Sequence, residues 1–241
     1  MYKRQFHHNT STKSYELHLI LRDVVCDDGV EPVDIRHPEY QSPEKILAEM
    51  ALCKERVAQI IAPVCNATRY KQVKYLNHWL THNNSPYSGS NLSTFFPGPY
   101  ECVTALKGST GLNGPLCESY SRAFKVLCDA LEIPCVLSDG YAGDSLQCIP
   151  GLHMWNAVEM DNGKWYAVDV TWNDPRVIGT DAAVSGYENE CYLLVGKYTK
   201  NKNGLTFCQS HDESNTPNFD RESTSFINAP QLEEHAYIPP T

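Results

Sequence analysis

The hydrophobic period of this chain changes once, near Pro134, and that change bounds the fold more tightly than any other feature. Before it, apolar residues recur at helical steps. Ser42, Pro43 and Glu44 form a helix start, and Ile46, Met50, Cys53, Val57, Ile60 and Ile61 then line one stripe, stopped by Pro63. A second helix is predicted over 68–82 with Val73, Leu76, Trp79 and Leu80 on one face, and a third over 115–131 with Phe124, Leu127 and Cys128 inward. After Pro134 the period is two. Segments 135–137, 153–160, 165–172 and 188–197 read as strands. Helices first and a meander of strands afterwards predict an α+β domain.

Around that frame the chain divides into a polar extension over 1–41, with one alternating stretch at 15–21 that reads as an edge strand, a catalytic-type domain over 42–200, and a polar extension over 201–241. The last segment carries two basic and six acidic residues and reads as a peripheral wrap or a partly disordered tail. Residues 83–114, rich in Asn, Ser, Gly and Pro, read as a long loop, and long loops are usually functional or disordered. With 20 basic against 29 acidic residues the net charge is −9, which argues against nucleic acid as the main ligand. No apolar run approaches the roughly 18 residues of a membrane span.

Ten cysteines in 241 residues are many. They admit disulfides, metal ligands, or one reactive thiol among structural ones. No two stand two residues apart, so zinc-knuckle and redox spacings are absent, and no metal is expected. Asn-x-Ser/Thr patterns at Asn9, Asn66, Asn83 and Asn91 lean towards a secreted or cell-surface setting. The N-terminus has no apolar signal core, so the chain is either cytosolic or has lost a leader.

Cys117 stands at the start of the third helix, after glycines at 108, 111 and 114. The unpaired N–H groups of a helix N-terminus favour an anion, hence a thiolate, and flanking glycines let backbone donors approach a developing oxyanion. The competing readings are a buried structural cysteine and a phosphate loop, although no Lys-Ser/Thr follows the glycines. A thiolate nucleophile needs a base, and the base an orienter. Of nine histidines, His153 alone opens a strand, and Asp169 is a carboxylate inside an otherwise apolar one, where it must be paired. Register decides whether they meet. A two-residue turn at Asn162-Gly163 puts them on opposite faces. A three-residue loop with Gly163 left-handed pairs Met160 with Lys164 and leaves His153 and Asp169 diagonal on one face. The three-residue loop is predicted.

The run Gly114-Pro115-Leu116-Cys117-Glu118-Ser119-Tyr120-Ser121-Arg122-Ala123-Phe124, followed by Leu131-Glu132-Ile133-Pro134-Cys135, resembles the nucleophile helix and next strand of the transglutaminase-like superfamily. His153-Met154-Trp155-Asn156 is similar to its histidine strand, and Val168-Asp169-Val170-Thr171-Trp172-Asn173-Asp174-Pro175 to its aspartate strand. The likeness spans roughly residues 66–176, in order, and is nearest to bacterial-type or kyphoscoliosis-peptidase-like domains. Ser119 stands where members often have glycine or another small residue. The resemblance implies a papain-like α+β fold, Cys117 as nucleophile, His153 as general base and acid, Asp169 as orienter, and no cofactor. It implies acyl-transfer chemistry through a Cys thioester on protein or peptide carboxamides, ending in hydrolysis, deamidation or cross-linking. The upstream oxyanion-hole donor is not identified, with Gln72, Asn77 and Tyr87 as candidates.

Trp155 and Trp172 flank the acid–base pair and are read either as a substrate-lining aromatic wall or as ordinary sheet packing. Two other functions stay open: a catalytically idle binding module, against which the presence of all three residues speaks, and a glycan-releasing amidase, whose zinc-binding cysteine pairs are absent. With Cys117 set apart and Cys53, Cys128 and Cys135 on buried faces, Cys26, Cys65, Cys102, Cys148, Cys191 and Cys208 remain as disulfide candidates. Oligomeric state is not legible.

Overall fold

A computed structural model describes residues 43–87, 100–110, 113–147, 149–174, 188–212 and 230–240. The expected edge strand at 15–21 and the cap at Ser42 lie outside them. Helix α1 (Pro43–Ile61) runs into a 3₁₀ turn (Ala62–Val64) that holds Pro63, whose missing N–H cannot continue the α-helical ladder. Helix α2 (Arg69–Asn83) is capped by Thr68, whose side chain accepts the Lys71 N–H. The long loop expected over 83–114 is interrupted by a short helix, α3 (Cys102–Lys107), ended by Gly108 at φ 76°. Its residues Cys102 to Leu106 are all buried, so tertiary packing stabilises a helix too short to hold on its own.

Helix α4 (Cys117–Ala130) is the centre of the domain. Tyr120, Ala123, Phe124, Leu127 and Cys128 are fully buried among side chains of α1, α2 and α3, including Cys53, Val57, Val73, Leu76, Leu80, Val103 and Leu106. Each such side chain removed from water contributes on the order of 1.5–3 kcal/mol, and this layer fixes α4 as the floor under the sheet. The sheet has the order β4-β3-β2-β1-β5, formed by β1 (Cys135–Ala142), β2 (Gly151–Glu159), β3 (Trp165–Val168), β4 (Leu193–Val195) and β5 (His211–Asp212), with every pairing antiparallel. The architecture is α+β, with the helices packed on an antiparallel sheet.

The β2–β3 connection is the three-residue loop expected from Asp161-Asn162-Gly163. The Met160 N–H donates to Lys164 O at 3.0 Å, the Gly163 N–H donates to Met160 O at 2.9 Å, and Gly163 sits at φ 71°. Strand β3 stops at Val168, four residues short of the expected end at 172. Asp169 turns its side chain onto the Trp172 N–H and caps a helical turn, α5 (Val170–Asn173), so a local capping bond overrides the apolar alternation. Of the segment 188–197 only 193–195 is strand.

The polar C-terminal segment packs where it is described. Thr206 and Gln209 form a capping box for the turn α6 (Phe207–Ser210), which delivers β5 onto β1. Residues 230–240 lie along the other side, where the Glu233 N–H donates to Trp165 O at 2.8 Å and the Tyr237 N–H to Leu194 O at 2.9 Å. No disulfide joins any two of the described cysteines, which include the candidates Cys65, Cys102, Cys191 and Cys208. Cys26 and Cys148 lie outside the described residues. Among the described residues no helix is long and apolar enough to cross a membrane.

Candidate active site

Cys117 is the first residue of α4 and is half-buried. Leu116 before it is extended and offers no side-chain cap, so the first N–H groups of the helix point unclaimed by a cap towards the thiol end. The approach to this end is tightly packed. A Cβ on Gly114 would overlap the backbone of Ser85, Pro86 and Tyr87, and the Tyr87 N–H donates to Pro115 O at 3.0 Å. Glycine is needed here for close approach, not for an unusual φ.

His153 lies on β2 opposite Gly140 of β1, with its side chain only 9% exposed. Its Nε2 donates to Asp169 Oδ2 at 2.7 Å, which leaves Nδ1 as the ring nitrogen not engaged by the carboxylate. Asp169 is wholly buried, yet both its oxygens are engaged: Oδ1 takes the Trp172 N–H at 3.1 Å, and Oδ2 takes His153 and a second imidazole, His211, at 3.1 Å. Burial pushes His153 down, but the Asp169 carboxylate and then the Cys117 thiol outweigh it and raise the imidazole to about 10. Burial likewise works to raise Asp169, but His153 and then His211 hold it well below the usual carboxylate range.

His211 goes the opposite way on the same carboxylate. Its burial dominates, and the Asp169 hydrogen bond restores only part of the loss, so its imidazole is held below the ordinary histidine range. One buried negative charge sustains one imidazolium. Sequence reasoning did not single out His211, because it sits in a polar segment where a solvated histidine is the default. The only nearby signal is the isolated apolar pair Leu205 and Phe207, both buried.

His153, Asp169 and His211 form a donor set of the kind a divalent ion uses, with their ligand atoms within 4.8 Å of one another. The 2.7 and 3.1 Å separations, however, are hydrogen-bond contacts. Donors about 2.0–2.1 Å from a tetrahedral ion would stand farther apart than that.

Trp172 is half-buried and stacks on His153 with ring centroids 5.2 Å apart. Trp155 is 1% exposed and packs against Phe207 and His211, so it backs the site from the core and offers no wall to a substrate. The oxyanion candidates divide. Gln72 donates to Val64 O and Cys65 O, which ties it to the α1–α2 turn, and the Tyr87 N–H is taken by Pro115. Asn77 is buried, and its Oδ1 accepts from Asn173 Nδ2 at 2.9 Å, linking α2 to the turn after Asp169.

Residues 55–170 match the family model of the transglutaminase-like superfamily. Kyphoscoliosis peptidase of Mus musculus is 32% identical over 84 residues, covering 32% of this chain and 13% of that protein. The match thus spans only a small part of its relative's length. Among solved structures, a candidate cysteine protease from Cytophaga hutchinsonii overlays with a TM-score of 0.36 at 23% identity, covering 51% of this chain and 37% of the other. A transglutaminase structure overlays with a TM-score of 0.40 at 15% identity, covering 68% and 39%. Neither overlay bears on the assignment of the site.

Proposed function

From a chain that carries a transglutaminase-like enzyme domain over residues 55–170, we infer a thiol-dependent acyl-transfer enzyme acting on protein or peptide carboxamides. The observation that carries this reading is His153, bonded at 2.7 Å to a wholly buried carboxylate and raised further by the Cys117 thiol at the N-terminus of α4. That is the order nucleophile, base, orienter which a covalent acyl mechanism requires.

The proton of the pair rests on His153, whose charge Asp169 sustains, and the Cys117 sulfur attacks the carboxamide carbon as the thiolate. The carbonyl oxygen becomes an oxyanion beside the uncapped N–H groups of α4, where the helix dipole favours negative charge. Collapse of the tetrahedral species breaks the C–N bond, and His153 protonates the leaving amine. In the second half an acceptor attacks the thioester, His153 takes its proton, and the Cys117 thiolate leaves. Asp169 keeps the imidazole oriented and stabilises its charge throughout. The peptidase named as a relative supports water as that acceptor.

The test is incubation with a glutamine-containing protein, with and without a primary-amine probe, read by mass. Chain cleavage identifies a peptidase, a gain of about one mass unit at glutamine a deamidase, and probe incorporation a cross-linking enzyme. No Cys117-dependent change with any of a broad set of protein and peptide substrates would refute the acyl-transfer reading and leave a binding module.

A further inference from the structure

His211 arrives at Asp169 from a part of the chain outside the family match, through α6 and β5. It is 3% exposed and is held on every side. Its ring stacks on Phe207 at 4.1 Å and 13°, meets the Trp155 ring edge-on at 4.9 Å, and lies 4.5 Å from Trp172. Backbone pairing of His211 with Ala142 fixes its Cα against β1. An imidazole so confined keeps its two nitrogens where they are: Nε2 3.1 Å from Asp169 Oδ2, and Nδ1 2.9 Å from Ser210 Oγ.

Those contacts select a tautomer. Asp169 is an acceptor only, so the nitrogen facing it must carry a proton. His153 also takes its charge from Asp169, and a second buried imidazolium 5.9 Å away, centroid to centroid, would repel it. Neutral His211 with its proton on Nε2 satisfies both conditions when the single Ser210 hydroxyl proton, which can also go to Phe207 O at 3.0 Å, turns onto the Nδ1 lone pair at 2.9 Å.

We propose that His211 is a positioning residue for the acyl-transfer site: its neutral Nε2–H donates to Asp169 Oδ2, holds that oxygen towards His153, and takes up part of its charge. Without the bond, Asp169 keeps only the Trp172 N–H as a second anchor and presents its full charge to His153. The carboxylate then turns more freely, and the imidazolium is bound more tightly than turnover needs. Removal of the donor therefore slows the chemistry while raising the pH at which His153 deprotonates. This inference rests on the reading of Cys117, His153 and Asp169 as the reacting groups.

The experiment measures Cys117 alkylation by iodoacetamide against pH in the full chain, for wild type, His211→Gln, His211→Phe and His153→Ala. The titratable groups facing His211 are Asp169, His153 and Tyr192, the last with its ring 5.8 Å away. Glutamine keeps an N–H in place of Nε2–H and is expected to retain the wild-type upper limb and a rate within about threefold. Phenylalanine is expected to move the upper limb to higher pH and to lower turnover of a cleavable substrate about tenfold, with KM little changed. A His211→Phe profile and turnover matching wild type would overturn the proposal and leave His211 as packing. Selective Cys117 labelling that survives His153→Ala unchanged would overturn the acyl-transfer reading, and this inference with it. Independently of any variant, ring ¹⁵N shifts of histidine-labelled wild-type protein at pH 7 should show His211 as the Nε2–H tautomer, and the Nδ1–H form would refute the proposal.

Discussion

Asp169 holds His153 at 2.7 Å with one carboxylate oxygen while the other caps the helical turn that begins at the next residue. The two duties depend on each other. The cap forces β3 to end at Val168, and the break swings the carboxylate off the sheet ladder to where β2 presents His153. A strand that ran on to Trp172 would keep Asp169 in the pleat, diagonal to His153 but without the Trp172 N–H to hold it. The orienter's geometry is thus set by a backbone capping bond as much as by the histidine.

Replacement of Asp169 by Asn tests this coupling. The amide can still accept the Trp172 N–H, so the turn and the fold should survive with a modest loss of thermal stability. At Oδ2 the two imidazoles lose their shared charge, and the amide cannot sustain an imidazolium. Turnover is expected to fall about 10³- to 10⁴-fold, the scale seen when a triad carboxylate is neutralised in place. Circular dichroism and melting would report the fold, and single-turnover thioester formation the chemistry. A loss of less than tenfold would remove Asp169 from the mechanism.

The pH dependence of stability should show an alkaline edge from His153 and an acid side to which Asp169 and His211 both contribute. His153 is raised to about 10 from an unfolded value near 6.5, so its contribution is complete below roughly pH 6.5 and disappears as pH climbs through 10. Asp169 is depressed, so its contribution is present above about pH 3.9 and is lost as pH falls through its folded value. His211 is also lowered, and a base that protonates more readily when unfolded costs stability as pH drops below about 6.5. His78 and Asp174 titrate over the same range in both proteins, so the melting temperature of wild type relative to His211→Gln should fall from about pH 6.5 downwards. An identical acid limb in both proteins would contradict the neutral, buried state of His211.

Much of this site is legible in the amino-acid sequence. Asp161-Asn162-Gly163 encodes the three-residue loop because Gly163 takes the left-handed turn position, and that loop sets the β2–β3 register that brings the chain at Asp169 beside His153. The stripes of α1, α2 and α4 carry enough period to be found directly. Other parts are hidden for physical reasons. Helix α3 is six residues inside a stretch dominated by turn formers, and long-range packing against α1 and α4 stabilises it. The turn α5 continues an apolar alternation that reads as strand, and the capping bond that breaks it is a side-chain choice with no period. His211 belongs to a segment whose composition is that of a solvated tail. Its importance comes from a sheet pairing made at long range, with Ala142, and local patterns do not report such contacts.

Gly114→Ala should be costly for a residue that sits at no unusual φ. The added methyl meets backbone atoms of Ser85, Pro86 and Tyr87, which cannot swing aside as a side-chain tip can. Relief requires the segment from Ser85 to Tyr87 to move away from Pro115, breaking the Tyr87–Pro115 hydrogen bond two residues before Cys117. The expected loss is about 1–3 kcal/mol of stability in denaturant melts, with a fall in the Cys117 alkylation rate beyond what that loss explains. Gly151→Ala supplies the control, since a Cβ there meets nothing within 4 Å. Equal behaviour of the two variants would show that the loop adjusts freely.

The strap formed by residues 230–240 makes a last prediction, because it supports the strand that leads to Asp169. Glu233 bonds the backbone of Trp165 and accepts from the Lys197 N–H, Leu232 bridges Trp165, and Tyr237 packs on Tyr166 and Tyr70. Gly196 lets the strap pass: a Cβ there would overlap the backbone of His235. Gly196→Ala should therefore lift the strap off β3 and β4 without touching the reacting groups. A cost of about 1–3 kcal/mol lowers the melting temperature by roughly 2–12 °C in a chain this size. Limited proteolysis should then cut near residue 230 in the variant well before the intact protein, and truncation after residue 229 should reproduce the melting shift. If truncation leaves the melting temperature unchanged, the strap is only laid on the surface, and β3 holds Asp169 in place through its pairing with β2 and β4 alone.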